Sequence, residues 1–334
     1  MRIKVLTPLH IGSGSQLAPI DYRYRDGKIR VIDYEEAFMN DERLRSMIES
    51  GNLDPELAED YFKYEVDSCR LTGKEKILEH IKVAGRPYVP GSSLKGLVRT
   101  AVLWKYLKER GRVVRRRDEL RRVEKELFGD PHRDVMRFIT FRDSKPADVR
   151  SLAVYEIAVM TERRRGDALR LEPKNFRIYA ECLKPGAEVE MEVFTKTKLD
   201  KLEDRLRSII RGWDEKKEYV ENWKAIVTEF SKHVVEVERE FFSHRNGREF
   251  DDVLKFLDTI ERRIEEGRTV FRLGFSTGWL WKTVGSLLSR DDRVRVAGTL
   301  RLNRGRRGED FPKTRRVVMS NEKRYLPGWI EIYD

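Results

Sequence analysis

Cysteine is nearly missing from this chain. Only Cys69 and Cys182 occur in 334 residues. Neither has a second Cys or a His at metal-ligand spacing, so no structural zinc site is expected. Two thiols do not make a disulfide framework either, and both read as buried thiols in a reducing compartment. The five histidines, His10, His80, His132, His233 and His244, show no metal-binding spacing and no Ser–His–Asp order. No apolar run approaches the roughly 20 residues that span a membrane. Met1 to Leu6 reads as the start of a strand, not the core of a signal peptide. These absences lead to the expectation of a cytoplasmic protein with no metal, cofactor or membrane partner.

Charge is what the chain has in excess. Lys and Arg number 69 against 58 Asp and Glu, a formal net charge of +11. That balance suggests a polyanionic partner. Charged residues make up 38% of the chain, and networks of both signs also occur for thermostability. The clustering of Arg favours nucleic acid. A hydrophobic content of 39% suffices for a core, and the length fits one large domain or two ordinary ones.

The pattern predicts strands over Arg2–His10 and, after a break at Gly12-Ser13-Gly14, a hairpin from Tyr22 to Val31 turning at Asp26-Gly27. Polar helical segments follow over Tyr34–Ser50 and Pro55–Tyr64. A helix opens at Ser92 and stops at Gly111, and a basic one covers Val113–Phe128. Phe138–Asp143 and Ala153–Met160 read as strands, and Thr161–Lys174 as an exposed excursion. Phe176–Cys182 and Glu188–Phe194 read as a hairpin about Pro185-Gly186. From Lys198 to Glu266 the chain is helical and highly charged. Tyr219, Trp223, Ile226, Phe230, Val234, Val237 and Phe241 form the core stripe of a long amphipathic helix, not base-stacking platforms. Val253, Leu257, Ile260 and Ile264 repeat the stripe after Asn246-Gly247. Thr269–Leu273 and Ile330–Tyr333 read as strands and Trp279–Leu288 as a short helix. The mixture is an α+β protein. The composition shift divides it into residues 1–197 and 198–334.

Three constellations carry chemistry. Pro90-Gly91-Ser92-Ser93-Leu94-Lys95-Gly96 ends a strand and starts a helix, with Ser92 or Ser93 as its cap. The helix start, with Lys95 and Arg99 on one face, suits a phosphate; an ordinary capped helix with a solvated basic face competes. Gly274, Ser276, Thr277 and Gly278 bring backbone N–H groups close to a phosphate chain, beside Trp279 and Lys282. Of Trp279 and Trp281, one is free to stack on a base while the other is buried; burial of both competes. Arg304, Arg306 and Arg307 suit a phosphate-tracking loop. The arginines at 112, 115, 116, 117, 121 and 122 are interleaved with acids and read as a solvated face. His10 reads as a strand-end residue packed under a loop, against a competing role as general base on a ribose 2′-OH.

The Pro90–Gly96 segment with Arg99-Thr100 resembles the signature of RAMP proteins, RNA-binding subunits of CRISPR effector complexes. Three further segments are similar to one branch, the fifth-subunit family of type III-A (Csm) complexes. They are Leu6–Gly14, Arg272–Trp279 running into Lys282–Gly285, and Pro312–Arg315 with Pro327-Gly328-Trp329. The resemblance implies one or two ferredoxin-like (RRM-type) units with helical insertions and a glycine-rich loop. It implies guide-RNA contacts at that loop, and a thumb-like hairpin at Arg163, Arg164 and Arg165 that touches nucleic-acid backbone. It implies no active site. The expected role is to cap the 3′ end of the guide RNA on the last backbone subunit and so limit trimming by host nucleases, with target RNA as a further partner. A metal-independent endoribonuclease using His10, and a subunit of a type III-B (Cmr) complex, are the alternatives.

Overall fold

The computed structural model describes residues 1–52, 54–58, 60–165, 168–197, 207–243, 250–302, 311–320 and 323–334. Strand β1 (Arg2–Val5) alternates exposed Arg2 and Lys4 with buried Ile3 and Val5, the period-two pattern of a half-buried strand. It ends before His10, and Leu9 makes an isolated bridge to Leu183. The expected break at Gly12-Ser13-Gly14 is instead strand β2 (Gly12–Leu17). A register shift between Gly12 and Gln16 absorbs the glycines, and Gly14 takes a φ of 95° there. The hairpin of β3 (Tyr22–Arg25) and β4 (Lys28–Ile32) turns as expected. Asp26 and Gly27 both have positive φ, as a tight hairpin turn requires.

Asp33 and Asp41 each accept backbone N–H groups as caps, which splits the next segment into α1 (Tyr34–Asn40) and α2 (Glu42–Glu49). No long helix covers Pro55–Tyr64. A single 3₁₀ turn leads into β5 (Phe62–Ser68), where Tyr64 and Val66 alternate inward. There follow β6 (Ile77–His80), β7 (Lys82–Val83), β8 (Arg86–Pro87), α3 (Gly91–Glu109), α4 (Arg117–Phe128), β9 (Ile139–Phe141) and β10 (Leu152–Arg165). Next come β11 (Ala168–Leu183), β12 (Glu188–Glu190) and β13 (Val193–Thr195). The excursion expected over Thr161–Lys174 is the outer half of the β10–β11 hairpin. The hairpin expected about Pro185-Gly186 does not form. Backbone bonds from Gly186 and Ala187 to Val5 swing the chain onto β1, so β12 pairs with β1, and β13 with β9.

The charged C-terminal stretch forms α5 (Trp213–Glu221), α6 (Trp223–Ser243) and α7 (Asp251–Glu265). The apolar stripe is buried, Val237 only partly, but Asn222 divides it between α5 and α6. The expected break at Asn246-Gly247 lies outside the described residues. Then come β14 (Thr269–Arg272), α8 (Trp279–Lys282), α9 (Arg290–Thr299), β15 (Thr314–Ser320), β16 (Lys323–Tyr325) and β17 (Trp329–Tyr333). Helix α8 is one turn where a longer helix was expected, because Thr283 is extended.

The architecture is α+β. Among the described residues one antiparallel sheet has the order β12-β1-β17-β14. A larger sheet runs β2-β6-β11-β10-β5-β4-β3, with β15 on β10 and β16 on β15. Strands from both sides of residue 197 share each sheet. Trp104, Phe230, Trp281, Trp329 and Phe256 form a run of ring contacts from α3 through α6, α8 and β17 to α7. Edge-to-face pairs of this kind add to area burial. The run fixes the glycine-rich segment against α3. No described helix is long and apolar enough to cross a membrane.

Candidate nucleic-acid interface

Helix α3 begins one residue earlier than expected, at Gly91. A Cβ at Gly91 would lie 2.1 Å from the Phe141 carbonyl oxygen, so only glycine admits this approach of helix to β9. Neither Ser92 nor Ser93 caps the helix, because both already sit inside its first turn. The Gly91 N–H is instead satisfied by Asp143 Oδ1 at 2.8 Å. Lys95 Nζ donates to the Ile139 carbonyl at 3.2 Å, and burial lowers its pKa. Arg99 pairs with Asp134 at 2.6 Å and lies 3.7 Å over the Phe128 ring. The two cations are thus held against neighbouring elements of the fold.

The other face of α3 is open. Ser92, Ser93, Gly96 and Thr100 line a groove of ≈ 470 Å³. Ile11 and Gly12, where the chain enters β2, and Gly274, Phe275, Thr277 and Lys282 of the glycine-rich segment complete it. The fold therefore brings three of the sequence segments to one place. The glycines there have different reasons. Gly274 has a φ of 83° and a Cβ on it would lie 2.3 Å from the His10 carbonyl oxygen, which accepts from Phe275 N–H at 2.8 Å. Gly278, with a φ of 86°, faces open space.

Arg272 holds this loop from inside. It is 1% exposed, and its guanidinium donates to the carbonyls of Pro327 at 2.9 Å, Ser276 at 3.1 Å and Thr277 at 3.4 Å. Glu238 of α6 lies 3.9 Å from it and also binds Arg315 of β15. Burial outweighs that carboxylate and brings the Arg272 pKa down to about 10. Trp281 is buried, while Trp279 is half-buried, edge-on to Phe311 with ring centres 5.0 Å apart. A Cβ on Gly285 would collide with the Trp279 ring at 1.9 Å.

Two cations stand beside the loop without a carboxylate partner among the described residues. Lys282 is exposed, with its pKa lowered by desolvation and by Arg316 and Arg272. Arg316 lies 4.7 Å over the Phe275 ring, its pKa lowered by desolvation. Arg163 is exposed on the β10–β11 hairpin, 3.5 Å from Glu172. Arg164 and Arg165 pair through their backbone with Leu169 and Ala168. Arg304, Arg306 and Arg307 lie outside the described residues. Four of the six arginines of α4 and its approach are paired, Arg112 with Glu126, Arg115 with Asp292, and Arg116 and Arg122 with Asp118.

His10 is 3% exposed. Its Nδ1 lies 2.6 Å from the Glu181 carbonyl, and its ring is walled edge-on by His80 and Phe275. Glu181 is fully buried and accepts from Tyr64 at 2.7 Å, Lys82 at 2.5 Å and the His80 N–H at 3.0 Å. Burial pushes the His80 pKa down to about 3. Among the described residues no cluster of His, Cys, Asp and Glu suits a metal ion. Sequence reasoning missed the roles of Glu181, Glu238, Arg272 and Arg316, and did not place Asp143 at the start of α3. Their partners are long-range, and only a charged residue amid the apolar strand residues at Arg272 marks one in advance.

The chain is 23% identical to the Csm5 protein of a CRISPR system in Methanocaldococcus jannaschii, covering 99% of this chain and 88% of that protein. A chain in the cryo-EM structure of a Csm–crRNA–target RNA ternary complex of a type III-A CRISPR-Cas system superposes with a TM-score of 0.72. It is 27% identical and covered over 98% of both chains. The crystal structure of T. onnurineus Csm5 gives a TM-score of 0.65 at 27% identity, covering 99% of this chain and 100% of that one. Residues 2–280 match the model of the RAMP superfamily, and with more than half of its length in that match the chain belongs to this superfamily.

Proposed function

We propose that this protein is a non-catalytic RNA-binding subunit of a type III-A Csm effector complex, seated at the 3′ end of the guide RNA. The observation that carries the reading is the groove between α3 and the glycine-rich loop, lined by Lys282 and backed by Arg316 behind the Phe275 ring, neither with a carboxylate partner among the described residues. Free cations beside exposed backbone suit a phosphate chain, which is held by charge and position rather than by sequence. The likeness to Csm5 and to a chain of a Csm–crRNA–target RNA complex supports the assembly. The partners are the guide RNA and the last backbone RAMP subunit, with target RNA and trimming nucleases reaching the complex in turn. In the same proposal the two larger sheets are remodelled ferredoxin-like units. Burial of His10, at 3% exposure, argues against its abstracting a ribose proton.

The test is to sequence the 3′ ends of guide RNA that co-purifies with the backbone subunit, in cells with and without this gene. Longer, untrimmed guides are expected without it. Unchanged ends on an unchanged assembly would overturn the capping role.

A further inference from the structure

Strand β11 carries a bulge. Arg177 faces Ala158 and Pro173 faces Met160 across the β10–β11 ladder, so Lys174, Asn175 and Phe176 together oppose the single residue Val159. Pro173 has no N–H to give the ladder, and bulges gather beside functional sites. On the other side of β10, Val159 faces Arg316 of β15. Val159 therefore floors a cleft with Lys174 and Phe176 on one side and Arg316 on the other. Trp279 and Phe311 close its far wall. The cleft lies behind the glycine-rich loop, sharing Arg272 and Thr277 with the groove at α3.

Phe176 is 53% exposed, a large ring left in water by the bulge. Lys174 Nζ sits 5.9 Å from its centre. Arg316 has no carboxylate partner among the described residues, and desolvation already weighs against its charge. An apolar face next to two cations matches a group that is flat and apolar at one end and anionic at the other. The volume, ≈ 310 Å³, is at the small end for ligand sites.

Resting on the RNA-binding reading above, we infer that this cleft takes one unpaired nucleotide of a single-stranded RNA segment, its base stacked on Phe176 and its phosphate on Arg316. Stacking on an aromatic face is tolerant of base identity, so the subsite holds a nucleotide without reading it.

The experiment measures binding of the full-length protein to a short single-stranded RNA and to the same ribose-phosphate chain without bases. Wild type, Phe176→Ala and Phe176→Tyr are compared. Phe176→Ala is expected to weaken binding of the base-bearing RNA by about 5- to 100-fold, the range base–aromatic stacking spans. Phe176→Tyr should restore it, and Phe176→Ala should leave the baseless chain unaffected. Equal affinity of wild type and Phe176→Ala for the base-bearing RNA overturns the subsite while the RNA-binding reading stands. An equal loss on both chains overturns it too, since Phe176 would then act through the fold. Absence of RNA binding by wild type overturns both.

Discussion

Glu238 is the residue on which the loop depends most. One buried carboxylate serves Arg272 and Arg315 from α6, and Arg272 in turn holds three loop carbonyls. Removing one member of a buried ion cluster leaves unpaired charge in a dry interior, at a cost of about 3–5 kcal/mol. Glu238→Gln should lower unfolding stability by that order, measured by urea titration. His80 gives a pH signature. The folded protein keeps it neutral, with a pKa near 3 against 6.5 for the free group, whereas the unfolded chain takes a proton below about 6.5. Stability should therefore be complete above pH 6.5 and fall as pH drops from there towards 3, by at most about 1.4 kcal/mol per pH unit. Urea midpoints at pH 7 and pH 5 should differ less in His80→Asn than in wild type. At this scale the sequence was legible for residues with local jobs, such as Asp26-Gly27 in its turn. It did not give Asp143 its place at the start of a helix 52 residues away, since nothing near position 91 encodes that partner.

Elements were more legible than their neighbours. The strands at Arg2, Ala153 and Thr269 and the helices between residues 213 and 265 follow from the period of their apolar residues. The failures were in pairing and, at Gly12–Leu17 and Phe62–Ser68, in element type, since both are strands. Glu188–Phe194 reads as a hairpin partner of β11 by adjacency, yet the Val5 backbone captures it for β1. Thr161–Lys174 lacks an apolar pattern, yet it is paired as the outer half of the β10–β11 hairpin. The glycine-rich loop separates two costs that look alike in sequence. Gly278→Ala meets only backbone strain, about 1–3 kcal/mol for a φ of 86° in this region. Gly274→Ala adds a collision with the His10 carbonyl at 2.3 Å and should cost distinctly more. Thermal unfolding of the two variants should rank them in that order.

For the molecule as a whole, the net charge is +11, and among the described residues some cations are paired within the fold while others have no described carboxylate. Arg99, Arg112 and Arg115 belong to the first group, Lys282 and Arg316 to the second. Only the second should govern binding to a polyanion. Lys282→Gln should weaken single-stranded RNA binding across sequences and reduce the salt slope by about 0.7, the share of one phosphate contact. Arg112→Gln should change neither. Salt titrations of fluorescently labelled RNA separate the two.

The sheet order β12-β1-β17-β14 places the final strand, Trp329–Tyr333, between the first one and β14. During translation, β1 waits for a neighbour that lies far downstream in the chain. Until the ribosome has released those residues, Ile3 and Val5 lack the strand that covers them, and the Trp281 ring lacks Trp329. This sheet thus closes only after Trp329–Tyr333 has been made, and a nascent chain stalled short of Trp329 would present an unpaired strand edge to whatever chaperone or protease is at hand.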